Sequence, residues 1–247
     1  GIEWCDHTFN IAWGCMKVSP GCAHCYADTL SSRYGFDVWG PASTTGRRTF
    51  GEKYWSQPLR WDRLAERRGR RERVFCGSMM DVFEGLREQR PHLARLFELI
   101  RQTPHLDWLL LTKRPERIAD RLPTGWYMDG GWPNVWLGTS VESDEYRDRL
   151  ADLLKIPARV RFLSAEPLLA PLTLGEYADD LDWCIVGGES GPSARPMALE
   201  WADSLRRECE AARVAFFLKQ LGGHPNKRGH EDAVLDGVRY LYWPVAA

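Results

Sequence analysis

Short apolar runs alternate with longer amphipathic ones along this chain. Val74-Phe75-Cys76 and the runs at 108–111, 135–137, 160–163, 183–186 and 215–218 are nearly all apolar and end at turn or charged residues. That is the pattern of strands buried on both faces. Between them lie helical stretches at about 91–102, 115–121, 144–155 and 199–212. In the last, Leu199, Ala202, Leu205, Cys209 and Ala212 recur every three or four residues, while Arg206, Arg207, Glu208 and Glu210 fall mostly elsewhere. Pro115 suits the first turn of its helix.

A β-α-β-α order with such strands predicts a parallel sheet covered by helices. With one or two more strands near the N-terminus, the expected α/β fold is a complete or partial (β/α) TIM-type barrel. Residues 1–247 are read as a single barrel domain. A doubly wound open sheet is the alternative. Residues 26–72 interrupt the rhythm. Tyr26–Arg33 reads as a helix, and Gly35 to Gly51, rich in Gly, Ser, Thr and aromatics, reads as an insertion or lid. Residues 224–230 read as a polar loop, and 238–243 as a last strand or a strap across the barrel's base.

Each strand runs into small and polar residues. The first meets Gly77-Ser78-Met79-Met80-Asp81, the second Thr112-Lys113-Arg114-Pro115, the third Gly138-Thr139-Ser140-Val141-Glu142. The next three meet Ser164-Ala165-Glu166-Pro167, Gly187-Gly188-Glu189-Ser190-Gly191 and Lys219-Gln220-Leu221-Gly222-Gly223. One such ending is an ordinary turn with a helix cap. A row of them gathers Asp81, Lys113, Glu166, Glu189 and Lys219 around one mouth, because the C-terminal strand ends of parallel α/β folds share a face.

The densest chemistry lies near the N-terminus, in Cys15-Met-Lys-Val-Ser-Pro-Gly-Cys22-Ala-His-Cys25. Ser19-Pro20-Gly21 is a turn signal that folds Cys15 toward the later pair. Three thiolates hold one metal centre and leave a coordination position open, whereas a structural zinc site fills all four. On a [4Fe-4S] cluster they leave one iron free. Zinc with Cys5, His7 or His24 as a fourth ligand fits the same spacing. The remaining cysteines, Cys76, Cys184 and Cys209, sit in apolar patterns and read as core. Seven cysteines, an odd count, with no visible signal peptide argue against a disulfide framework and for a reducing, cytoplasmic setting.

Net charge is −1 and 44% of residues are hydrophobic, so a sizeable core is expected and a polyelectrolyte is excluded. No apolar run approaches a membrane span. The stretch Arg63 to Arg73 carries six arginines against two glutamates. It reads as exposed and clear of the metal. If the substrate is nucleic acid, this run and Arg47-Arg48 should border the mouth and meet phosphates.

Glu3-Trp4-Cys5-Asp6-His7, the three-cysteine loop, Leu111-Thr112-Lys113-Arg114-Pro115, Ser164-Ala165-Glu166-Pro167-Leu168 and Gly187-Gly188-Glu189-Ser190-Gly191 resemble a phage and bacterial family of unknown function that looks radical-SAM-like. The resemblance covers nearly the whole chain. It implies a [4Fe-4S] cluster on Cys15, Cys22 and Cys25, with S-adenosylmethionine chelating the fourth iron. It also implies an external electron donor and hydrogen abstraction from a substrate, of which nucleic acid or a nucleotide is the favoured class. The cysteine spacing departs from the common radical-SAM pattern: six residues then two, instead of three then two. Gly187-Gly188-Glu189 also follows a late strand, where the Gly-Gly-Glu of typical members follows the second. The cofactor-binding candidates are Glu166 and this late Gly187, Gly188 and Glu189, with Ser78 and Asp81, after the earlier strand, as the alternative for the amino group. Lys113, Glu166 and Lys219 are candidates for catalysis. The rival reading is a zinc-stabilised barrel that binds nucleic acid or protein without redox chemistry. A metal-independent hydrolase using Glu166 and Glu189 would leave the cysteine loop without a purpose.

Overall fold

The computed structural model describes residues 2–41 and 44–245. Its seven strands are β1 (His7–Phe9), β2 (Glu72–Cys76), β3 (Leu106–Thr112), β4 (Val135–Ser140), β5 (Val160–Ala165), β6 (Trp183–Gly187) and β7 (Ala215–Gln220). They pair in chain order, every neighbour parallel, with β1 and β7 at the two edges. The sheet is a partial (β/α) TIM-type barrel rather than a closed ring.

Among the described residues six α-helices accompany it: α1 (Tyr26–Arg33), α2 (Glu52–Trp55), α3 (Gln57–Arg68), α4 (Arg90–Arg101), α5 (Asp148–Leu154) and α6 (Leu199–Ala212). α3 ends at Gly69, whose φ of 61° is the left-handed conformation that terminates helices at glycine. The stretch 115–121, expected as a helix, forms two 3-10 turns, Pro115–Arg117 and Ala119–Arg121. It is too short to sustain a helix alone, and Leu122 before Pro123 is held extended. The stretch 144–155 splits into a 3-10 turn, Asp144–Tyr146, and α5.

Alternation along the strands sorts their side chains. Phe75, Leu109, Trp136, Phe162, Trp183, Ile185 and Phe217 pack together with Trp4 on the concave side. Their neighbours Val74, Leu110 and Leu137 meet one helix-covered core, and Leu163, Cys184 and Phe216 another. Trp183 sits among Trp4, Trp136 and Phe217 in edge-on contacts of 5.9–6.1 Å, a favourable aromatic geometry. This aromatic plug packs the inside of the sheet below the C-terminal strand ends.

The last segment pairs antiparallel with the free edge of β7: Leu218 N–H donates to Tyr240 O and Tyr242 N–H to Phe216 O. It covers an exposed strand edge. Trp243 then packs on Phe217 and donates from Nε1 to Trp4 O at 3.4 Å.

Arg63, Arg67, Arg68, Arg70 and Arg71 are exposed, as expected, whereas Arg73 is half-buried over Trp243. The run lies at the N-terminal edge of the sheet. Arg68 pairs with Glu72, Arg70 with Asp6, and Arg71 with Asp107 at the starts of β2 and β3. That is the end opposite the polar strand endings, so the run does not border the mouth.

Candidate functional site

Cys15 follows Gly14, whose φ is 113° and where a Cβ would collide with the Val38 carbonyl; only glycine fits there. Ser19 is extended, and Pro20–Cys22 closes a 3-10 turn through Cys22 N–H to Ser19 O at 2.9 Å. Cys25 is the residue before α1. The thiols of Cys15, Cys22 and Cys25 are free. All three line one cavity of about 190 Å³ at the C-terminal strand ends. Ser78, Asp81, Lys113, Glu166, Gly188, Glu189 and Lys219 line the same cavity. Gly187 does not; it packs beneath Glu166, where a Cβ would come within 2.6 Å of Oε1.

Several strand-end acids are spent on the cysteine loop. Glu142, fully buried, accepts from Ser19 Oγ at 2.6 Å and Arg149 at 2.9 Å, and lies 2.8 Å from Lys113 Nζ. Gly21 packs so closely on Glu142 that any side chain there would clash. Glu189 accepts from three nitrogens of Arg195 and meets His24 Nδ1 at 3.1 Å. Arg195 in turn donates to Pro20 O. Glu84 accepts the Met16 N–H at 2.8 Å.

Arg47 forms a bidentate pair with Glu84, at 2.9 and 2.7 Å, both side chains 1% exposed. It also donates to Val38 O, Thr45 O and Gly40 O, clamping these residues to the site. Arg48 lies over Phe36, 3.9 Å from the ring centre, with Trp13 and Phe50 nearby. The expectation that Arg47 meets phosphates is corrected: its charge is used internally.

Asp81 has both oxygens engaged. Oδ1 accepts from Thr112 Oγ1 and Phe83 N–H, and Oδ2 from Lys113 N–H and Arg114. Arg114 donates onward to Met16 O at 2.6 Å and to Cys15 Sγ at 3.6 Å. Glu166 pairs with Lys219 at 2.7 Å and accepts from Ser164 Oγ. Lys113 Nζ is buried and, despite its closeness to Glu142, makes no hydrogen bond of good geometry. It is an ammonium on the cavity wall with donors to spare.

Burial pushes the Cys15 thiol up to about 12, with Asp81 adding to the rise and Arg114 opposing it. Burial likewise raises Cys25. Burial alone would raise Glu142 too, but Lys113 and Arg149 outweigh it and hold the carboxyl below its usual range. Arg195 does the same for Glu189. A depressed carboxylate contributes stability that is fully present above its unfolded value and lost as pH falls through the folded one. The loop should therefore loosen below about pH 4.5, the ordinary value of both groups. Hydrogen exchange of residues 14–25, corrected for intrinsic rate, should rise there; unchanged protection would refute the role of these acids.

Among the described residues, no three His, Cys, Asp or Glu side chains stand as a group that could hold one metal ion. Ligands of a single zinc ion crowd about one centre at about 2.0–2.3 Å. The thiolates of an iron-sulfur cubane each hold a different iron and spread more widely. The three free thiols line one cavity together with Arg114 and Lys113, whose positive charges oppose theirs. Of the proposed fourth zinc ligands, His7 is taken by Glu72 and stacked on Trp61. Cys5 does not line the cavity, and His24 does.

Of the residues that hold the loop, the sequence marks Ser19 only as part of a turn, Arg114 and Glu142 only within strand-ending motifs, and Glu84 and Arg195 not at all. The available signal was their place, since Arg114 and Glu142 both stand in strand-end motifs.

Fold and site together define a partial (β/α) barrel with a three-cysteine cavity at the C-terminal ends of its strands. The chain belongs to the family described as protein of unknown function (DUF5131), which matches residues 1–244. No curated protein is detectably similar in sequence. Among solved structures, a cysteine-to-alanine variant of spore photoproduct lyase with dinucleoside spore photoproduct is similar at a TM-score of 0.54 and 13% identity, covering 84% of this chain and 74% of that one. A tyrosine-to-phenylalanine variant of the same enzyme gives 0.52 and 13%, with the same coverage. The chain spans 56–74% of the length of such neighbours.

Proposed function

We propose that this protein is a radical-SAM-type enzyme, with Cys15, Cys22 and Cys25 as the ligands of a [4Fe-4S] cluster. The observation that carries the reading is the meeting of three free thiols and four charged strand-end residues, Lys113, Glu166, Glu189 and Lys219, on one cavity. When bound, the cluster and S-adenosylmethionine supply one-electron cleavage of the sulfonium and abstraction of a substrate hydrogen, with the electron coming from an external donor.

The chain's own residues bind, orient and shield. Lys113, with unpaired donors, is suited to an anionic group of the cofactor or substrate. The hydroxyl of Ser78, which accepts from Asn10 Nδ2, keeps its own proton to donate to the cofactor, whereas the Gly188 backbone is engaged with Gln220 and contributes close approach at the cavity wall. Asp81 and Glu189, saturated by their partners, hold the loop in place. Glu166 and Lys219 remain as a charged pair facing the reacting region. The aromatic plug below and Trp39, held between the clamped Val38 and Gly40, limit water, as reactive chemistry requires. Residues 1–247 act as one barrel domain in this reading, with part of 26–72 as its wall.

Nucleic acid or a nucleotide is the substrate class we put first. Tyr26 and Trp39 line the cavity with Lys113 and Lys219, a combination suited to a base and a phosphate. A protein of similar fold holds a dinucleoside photoproduct. The arginine run adds nothing to this, since it lies at the other end of the sheet. Alanine at Arg67, Arg68, Arg70 and Arg71 together is expected to leave metal content unchanged; loss of metal would contradict the separation of the two ends.

The test is anaerobic reconstitution with iron and sulfide. A brown protein with broad absorbance near roughly 400 nm supports the cluster. A colourless protein carrying one zinc per chain supports the rival, a zinc-stabilised binding module.

A further inference from the structure

The charged residues around the cysteine loop differ in what they touch. Glu84, Glu142 and Glu189 hold backbone and side chains of the loop, each beside its own arginine or lysine. Arg114 does something else. Among the described residues it is the charged side chain that donates to a sulfur of the three-cysteine motif: its guanidinium lies 3.6 Å from Cys15 Sγ. The same guanidinium nitrogen meets Asp81 Oδ2 at 2.8 Å.

We infer that Arg114 and Asp81 together set the electron affinity of the centre held by Cys15, Arg114 as the hydrogen-bond donor to the ligand sulfur and Asp81 as its counter-charge. This rests on the cluster reading above. Reduction adds one negative charge to the centre. A fixed cation donating to a ligand sulfur stabilises the reduced form more than the oxidised one, and a neighbouring carboxylate opposes it. Hydrogen bonds to sulfur, net charge and burial are the levers by which a protein tunes such a centre. Burial strengthens both effects, since Coulomb energies grow as the surroundings become less polarisable. The Arg114 side chain is 3% exposed and that of Asp81 6%.

The geometry is built in before any metal arrives. β3 ends at Thr112, and Arg114 precedes Pro115, which keeps its backbone out of the helical region, at φ −130° and ψ 57°. Thr112 Oγ1 accepts the Arg114 N–H and donates to Asp81 Oδ1. Phe83 N–H fixes the same carboxylate oxygen. Asp81 therefore cannot turn away, and Arg114 is held between it and Cys15. A guanidinium cannot surrender its proton at any accessible pH, so the donor is permanent.

The test uses the full chain, reconstituted anaerobically with iron and sulfide, as parent, Arg114→Gln and Asp81→Asn. Iron and sulfide content is measured first, then the midpoint potential by redox titration followed by electron paramagnetic resonance. Arg114→Gln should lower the potential and Asp81→Asn should raise it. At a fixed solution potential each change in the reduced-to-oxidised ratio should be about tenfold or more, the order of one charge-assisted hydrogen bond. Opposite signs are the signature; a purely structural role does not produce them. Unchanged potentials, or shifts in one direction, overturn the inference while leaving the cluster reading intact. If Arg114→Gln holds no iron, Asp81→Asn decides: a raised potential supports the inference, and an unchanged or lowered one overturns it. If both variants lose iron, the pair is structural and the inference is overturned. If the parent itself takes up no iron, the cluster reading fails and this inference falls with it.

Discussion

Serine at Cys15, Cys22 or Cys25, each alone, is expected to abolish a stable cluster. Iron should fall from about four per chain to less than one, and S-adenosylmethionine cleavage should fall with it. Changes beyond the ligand shell cost about 10–100-fold in metal affinity or activity. Loss of a ligand thiolate should exceed that. The matched control is Cys5→Ser. Cys5 is raised to about 12 by burial and stands apart from the cavity lining, so its replacement should leave iron content at the parent level. Cys76, Cys184 and Cys209 are buried among apolar side chains and are no part of the ligand set. If serine at all three motif positions left iron content unchanged, the ligand assignment would be wrong.

The largest effect on stability is expected at Glu84. Its pair with Arg47 is 1% exposed on both sides. Alanine at Glu84 leaves a buried guanidinium with only carbonyl oxygens and the Thr45 hydroxyl as partners and frees the Met16 N–H. Breaking a buried ion pair from one side costs about 3–5 kcal/mol. In a chain of this size that lowers Tm by roughly 6–20 °C. Removing both charges together, Glu84→Ala with Arg47→Met, should recover part of the loss, because no uncompensated charge remains. Thermal unfolding followed by circular dichroism reads both. A Glu84→Ala Tm within about 2 °C of the parent would show that Arg47 finds water, and that Val38, Gly40 and Thr45 are not clamped as described.

Much of the site was legible because strands alternate. Leu109, Leu111 and Lys113 stand two apart, as do Ser164 and Glu166, Gly187 and Glu189, and Phe217 and Lys219. An inward apolar residue near a strand's end therefore predicts an inward polar residue two positions on. That rule brings Lys113, Glu166, Glu189 and Lys219 to one cavity. Distant pairing is what sequence does not carry. Ser19 and Glu142 are 123 positions apart, and Arg114 and Cys15 99. Nothing local marks them as partners. Arg47 misled for the same reason: an arginine in a polar stretch reads as solvated until Glu84 is seen beneath it. The three-residue β1 is too short and too polar for any period to show. Five arginines of the run were correctly read as exposed, Arg73 was not, and the run's end of the barrel followed only from the register of β2 and β3.

The most direct measurement of the central claim is the formation of 5′-deoxyadenosine. The reconstituted parent is reduced anaerobically with dithionite, given S-adenosylmethionine, and analysed by chromatography and mass spectrometry, with the Cys22→Ser variant treated identically. The account predicts 5′-deoxyadenosine and methionine from the parent and none above background from the variant. An iron-loaded, reducible parent that yields no 5′-deoxyadenosine, with or without nucleic acid present, would contradict it.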